Sequence, residues 1–199
     1  MPESSLASAW QTALAAIARQ AVVAAVSGEP YGPPRQLVVG RLAAPGASFV
    51  TLRSAGELRG CIGSIAARRA LAVDVAENAR AAALSDRRFA PVAAHELARL
   101  EIELSLLTPP EPLAARTRAE LLAALVPGVD GLVLEELGRR ATFLPAVWEQ
   151  LPDPESFVAH LERKAGLAAG SWSPARRLCR YRAESIAVGP ALVGTRPTR

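Results

Sequence analysis

The sequence predicts an α+β fold: a mixed or antiparallel sheet with flanking helices, arranged as two unequal lobes. Three observations carry that expectation. Short alternating apolar and polar runs are interspersed with helical patterns. Two pairs of those runs are close enough to form hairpins, which favour antiparallel over all-parallel pairing. The strand-rich stretches also fall into two blocks, 36–107 and 131–188.

Taken in order, residues 6–26 form an Ala-rich amphipathic helix behind a Ser4/Ser5 cap. "GEPYGPP" (28–34) breaks it. Strands are expected at 36–42, 48–53 and 57–65, the last two joined by the three-residue loop Ser54-Ala55-Gly56. A helix follows from about Arg69 to Leu84. "SDRRFAP" (85–91) then reads as a turn that returns Phe89 to the core. An alternating strand at 99–107 is halted by prolines. A short helix near 118–126, a hairpin over 128–145 turning near Gly138, a helix at 154–166 and a strand at 179–188 complete the fold. From Gly189 onward the chain reads as a loose tail.

The 199 residues suffice for one buried core or two small lobes. No apolar run approaches the roughly 20 residues that span a bilayer, and the N-terminus lacks the basic region of a signal peptide. The net charge of +4 and pI near 9.8 invite a nucleic-acid reading. The positive charge is almost all arginine scattered among acids, Lys164 being the sole lysine, and aromatic residues are few. A solvated basic surface accounts for this better than nucleic acid does. Cys61 and Cys179 form no disulfide framework, so free thiols in a reducing cytoplasm are expected.

The stretch "GELRGCIGS" (56–64) sets Cys61 between two glycines. Strand alternation places Leu58, Gly60 and Ile62 on one face, with Glu57, Arg59, Cys61 and Gly63 on the other. A guanidinium at Arg59 would favour the thiolate and Glu57 would oppose it. Gly60 and Gly63 would leave backbone amides open to close approach, as an oxyanion site needs. Equally, Cys61 reads as a small hydrophobe packed beneath a helix. Asn78 lies in an apolar helical seam with Leu71, Val75 and Ala82, where it either pins a neighbouring backbone or lines a polar cleft. Asp86 and Arg88 read as a local ion pair. Glu103, on a strand whose acids would ordinarily be solvated, is a candidate general base. His95 and His160 read as surface residues. The spacing of the two cysteines and two histidines fits no zinc pattern, so no metal or cofactor is expected.

"GELRGCIGS", "AENARAAALSDRRFAPV", "IELSLLTPPEPL", "DGLVLE" and "TFLPAVWEQLPDPESFVAHLERKAGL" together resemble the AMMECR-one domain family. Its prokaryotic members are called protein A of the AmmeMemoRadiSam system. The resemblance runs from about Thr12 to Ile186, and its signature is the hexapeptide Leu58–Gly63. It implies a single α+β domain over 1–189, with two intertwined lobes flanking a cleft and a flexible tail over 190–199. It also implies a Memo-type protein and a radical-SAM protein as partners. Within that cleft the resemblance nominates Cys61, Arg59 and Glu103 as catalytic, and Glu57, Gly60, Gly63, Asn78 and Arg88 as ligand-binding. Two departures stand out. Arg87 replaces a common proline, which would loosen its turn, and Ala146 replaces a common glutamine. Two functions follow as expectations: a cytoplasmic enzyme or enzyme-complex component using Cys61, or a non-catalytic adaptor for the same partners.

Overall fold

The structure is a computed structural model and describes residues 3–192, with side chains from residue 9 onward. The fold is α+β. The chain divides into two compact units, one holding the chain up to Leu107 and again from Glu184, the other Thr108–Ala183.

In the first unit, helix α1 (Glu3–Ser27) precedes strands β1 (Pro45–Ser54), β2 (Glu57–Gly63) and the two-residue β3 (Arg69–Ala70). Helix α2 (Leu71–Leu84) and strand β4 (Leu100–Leu107) follow, and β9 (Ala183–Pro190) returns from the far end of the chain. The sheet order is β2-β1-β4-β9, with β3 pairing the start of β1. Alternation along β1 and β4 buries Val50, Leu52, Ile102, Leu104 and Leu106 on one face. The helical spacing of Leu14, Ile17, Ala21 and Val22 in α1, and of Leu71, Val75 and Ala79 in α2, buries two helix faces in that same core. By length and apolarity alone Ala9–Ser27 could cross a membrane, but its leucine, isoleucine and valine at 14, 17 and 22 are fully buried in this core.

The second unit carries β5 (Glu111–Pro112), α3 (Arg118–Ala124), β6 (Gly131–Glu136), β7 (Arg139–Phe143), α4 (Pro154–Lys164) and β8 (Arg177–Tyr181). Its sheet runs β5-β8-β6-β7, all pairs antiparallel. Leu132, Leu134 and Leu178 pack there against Leu121, Leu161 and a stacked Trp148–Phe157 pair with centroids 3.8 Å apart.

Several expectations need correction. Residues 36–42 form two 3-10 turns, Arg35–Leu37 and Gly40–Leu42, instead of a strand. Pro34 caps the first turn, Gly40 takes a φ of +53°, and only Leu42 of the run is buried. The first hairpin turns through two residues, not three. Ala55 and Gly56 both have positive φ, as a primed turn requires, and Ser54 already pairs with Glu57. The single strand expected at 179–188 is two strands in different sheets. They part at Arg182, whose N–H donates to the Thr108 hydroxyl while its carbonyl accepts from Thr108 N–H. The second sheet's last strand therefore ends at Tyr181, and β9 belongs to the first sheet. The loose tail begins later than Gly189, since Ala191 is buried and its N–H donates to Leu100 O. Residues 193–199 lie outside the described residues.

Candidate functional site

Strand β2 is an edge strand, and its pairing with β1 slips once. Leu52 pairs with Gly60, but the next residue, Arg53, pairs with Leu58, so Arg59 is one residue in excess. Such a bulge re-aims the side chains around it. Leu58 lies outside the core that Ile62 packs against, contrary to the simple alternation. Arg59 does not share a face with Cys61. Its guanidinium grips both carboxylate oxygens of Glu96 at 2.8 and 2.9 Å and donates to the carbonyls of Ala90 and Pro91. Glu96 also accepts from Ala93 N–H, so this pair fixes the segment between α2 and β4.

The two glycines admit other parts of the chain. A Cβ at Gly60 would overlap the carbonyl oxygen of Ala82 near the end of α2. One at Gly63 would overlap the Phe49 ring. Glycine at these positions lets a helix and an aromatic ring lie directly on the strand.

Between them, Cys61 is held at three points. Its N–H donates to Asp86 Oδ2 at 2.9 Å, its carbonyl accepts from Arg88 Nη2 at 3.3 Å, and the Thr51 hydroxyl donates to Sγ at 3.3 Å. Cys61 is half-buried and makes no disulfide. Asp86 is buried, and Arg88 donates to both of its oxygens. Those bonds hold the Asp86 carboxyl well below its ordinary range despite burial, with the Cys61 and Arg88 amides adding to the effect. Arg88 is correspondingly pushed above its usual value, first by its bond to Asp86.

Register builds a row across the sheet face opposite the helices. Cys61 pairs with Thr51, and Thr51 pairs with Glu103 on the other side. Two strand spacings put about 10 Å between the backbones of Cys61 and Glu103. Glu103 is thus not adjacent to the thiol, and Thr51 stands between them. The nearest cation to Glu103 is Arg53, at 3.9 Å. Glu57 is exposed at the hairpin end, away from this row.

Asn78 pins a backbone. Its amide donates to Ser48 O and to Asp74, both buried. Asp74, which the sequence did not single out, organises this cluster. It accepts from Ser48 N–H and hydroxyl, from Ser64 and from Arg69 as well as from Asn78. The cluster ties the start of α2 to β1 and to Ser64, just past the signature. His95 and His160 are exposed. Among the described residues, no three or more His, Cys, Asp or Glu gather where they could hold a metal ion.

The AMMECR1 family model matches residues 15–186, which includes every residue of this row. The chain belongs to the AMMECR1 family. A protein of Methanothermobacter thermautotrophicus is 39% identical over 138 residues, which cover 68% of this chain and 72% of that protein. A Saccharolobus islandicus protein is 38% identical over 133 residues, and the match spans only 59% of its length. Among solved structures, the uncharacterized protein PH0010 from Pyrococcus horikoshii superposes with a TM-score of 0.76 at 30% identity. That superposition covers 88% of this chain and 90% of the other.

In this AMMECR1 chain the departure at Arg87 is an exposed side chain on a turn closed by Phe89 N–H donating to Asp86 O. Phe89 itself stays half-buried outside the main core. Ala146 is exposed within the 3-10 turn Pro145–Glu149. The sequence did not flag Thr51. Its one signal is its position opposite Cys61, legible only once the hairpin register is known.

Proposed function

We propose that this AMMECR1 chain is a component of a modification pathway that uses Cys61 for thiolate or covalent chemistry. It would work in the cytoplasm with Memo-type and radical-SAM partners. The observation that carries this reading is that Cys61 is half-buried, its sulfur receives a hydrogen bond from Thr51, and its N–H and C=O are both tied down. Only the thiolate is a strong nucleophile, and among the described residues the Thr51 hydroxyl is the one side-chain group bonded to that sulfur. In this reading Arg88, beside the Cys61 carbonyl, takes the charge-stabilising role that the sequence suggested for Arg59. Glu103 would handle protons through Thr51 or an intervening water. Cys61 N–H, already donating to Asp86, is not free to serve an oxyanion.

The test is pH-dependent alkylation followed by mass spectrometry, with the half-buried Cys179 as internal control. Cys61 is expected to label faster than Cys179 at neutral pH, and Thr51→Val to slow it severalfold. Equal rates for the two cysteines across the pH range would end the thiolate reading. A second reading, a non-catalytic adaptor, is favoured by one observation. Among the described residues no histidine or carboxylate makes a hydrogen bond to Cys61 Sγ. A Cys61→Ser protein that keeps full pathway activity and still binds either partner would establish it.

A further inference from the structure

The second unit contains an arginine that its neighbours leave unneutralised. The Arg176 side chain is fully buried and bonds two carboxylates, Glu136 and Glu162, while Arg118 bonds Glu155 and Glu162. Arg180 on β8 is half-buried, yet among the described residues it has no hydrogen-bond or ion-pair partner. Its cross-strand neighbour is Glu111, but the two side chains do not pair. Instead both line a cavity of about 300 Å³, together with Thr108, Tyr181 and Arg182.

The other lining groups are suited to an anion. Arg182 is held only loosely, 3.5 Å from Asp130, so most of its donors are free. The Thr108 oxygen accepts from Arg182 N–H, which leaves its own hydroxyl proton to donate elsewhere. The Tyr181 hydroxyl is occupied by Thr142 and by Phe143 O, so the ring supplies a fixed wall and no hydrogen bond. With no partner among the described residues, the Arg180 guanidinium keeps its donors available to an anionic ligand in the cavity.

We propose that this cavity binds a small phosphate ester. Two guanidinium forks and a hydroxyl offer more donors than the two oxygens of a carboxylate can use, and they match a phosphoryl group. Glu111, on the same wall, accepts from a hydroxyl or ammonium group at the other end of the molecule. A volume of this size is at the lower end for ligand cavities and fits a small metabolite better than a nucleotide.

The test titrates the full-length protein at low salt with inorganic phosphate, glycerol 3-phosphate and succinate, read by phosphorus NMR for the first two and calorimetry for all three. Saturable binding is expected, tightest for glycerol 3-phosphate and weakest for succinate. Arg180→Gln should weaken glycerol 3-phosphate about tenfold, while Arg140→Gln, an exposed arginine of the same unit, should leave it unchanged. Circular dichroism checks folding. If Arg180→Gln does not fold, Arg180→Lys and Thr108→Val are read for the same weakening. Absence of saturation, succinate binding as tight as glycerol 3-phosphate, or equal losses in the Arg180 and Arg140 variants would each overturn the assignment.

Discussion

Arg59 reaches Glu96 because β2 carries one more residue than the strand opposite, and the resulting pair is largely shielded, with side-chain exposures of 18% and 23%. The Arg59 guanidinium, then the Ala93 N–H, hold the Glu96 carboxyl down to about 2 from its ordinary 4.5. A carboxyl whose folded value is depressed stabilises the fold fully above its unfolded value. That contribution fades as pH falls through the folded one. Asp86 acts with the same sign. Melting temperature is therefore expected to fall as pH drops from about 4.5 toward about 2, and Glu96→Gln should flatten the slope there. Identical slopes for the two proteins would remove Glu96 from the account. Asn78→Ala should cost about 1–3 kcal/mol in urea denaturation, since it strips a donor from a buried carboxylate and a buried carbonyl. The sequence showed Asn78 on an apolar seam, and that much was legible. Asp74 was not, because its partners Ser48, Ser64 and Arg69 come from separate elements and meet only when β1, β3 and α2 are assembled.

Among the elements, β2 was readable in its position and its hairpin, but not in the facing of its side chains. A single bulge reverses the alternation on one side of it, and nothing in "GELRGCIGS" announces a bulge. The glycines were read as room for a ligand; in the structure they make room for α2 and for Phe49. Gly60→Ala is expected to destabilise by about 1–3 kcal/mol, because the atom it meets is backbone and cannot rotate away. Denaturant titration measures this. An unchanged midpoint would mean that α2 does not rest on β2. The second unit is held by charges the sequence left unremarked. Glu162 is fully buried on α4 and accepts from Arg118, Arg176 and Gly170 N–H, joining α3, α4 and the approach to β8. Glu162→Ala would leave two arginines short of a partner and should cost about 3–5 kcal/mol. Glu155→Ala removes a more exposed contact and should cost under about 1 kcal/mol. Paired thermal melts separate the two.

The whole molecule is ordered along the chain in a way that composition could not reveal. The first unit is closed by a strand made after the second unit is complete, since β9 joins β4 and delivers Ile186 and Val188 to the first core, with Ala191 just past its end. Arg19 on α1 donates to the carbonyls of Val188 and Pro190, and Glu184 accepts from Gln11 and Arg41. A chain ending after Ala183 is expected to lose several kcal/mol of burial from the first unit, and limited proteolysis should cut there first. The sequence merged β8 and β9 because both are alternating and only Arg182 lies between them. The switch between sheets depends on Thr108, some seventy residues earlier. Finally, the hold of Asp86 and Arg88 on Cys61 bears on how molecules of this protein meet one another. An uncovered strand margin invites a second chain to add itself, and these two side chains occupy the N–H and C=O that such a chain would use. With both replaced by alanine, the protein is expected to self-associate over hours at high concentration. Light scattering would rise in step with thioflavin binding, so the pair that steadies the thiol also keeps the molecules apart.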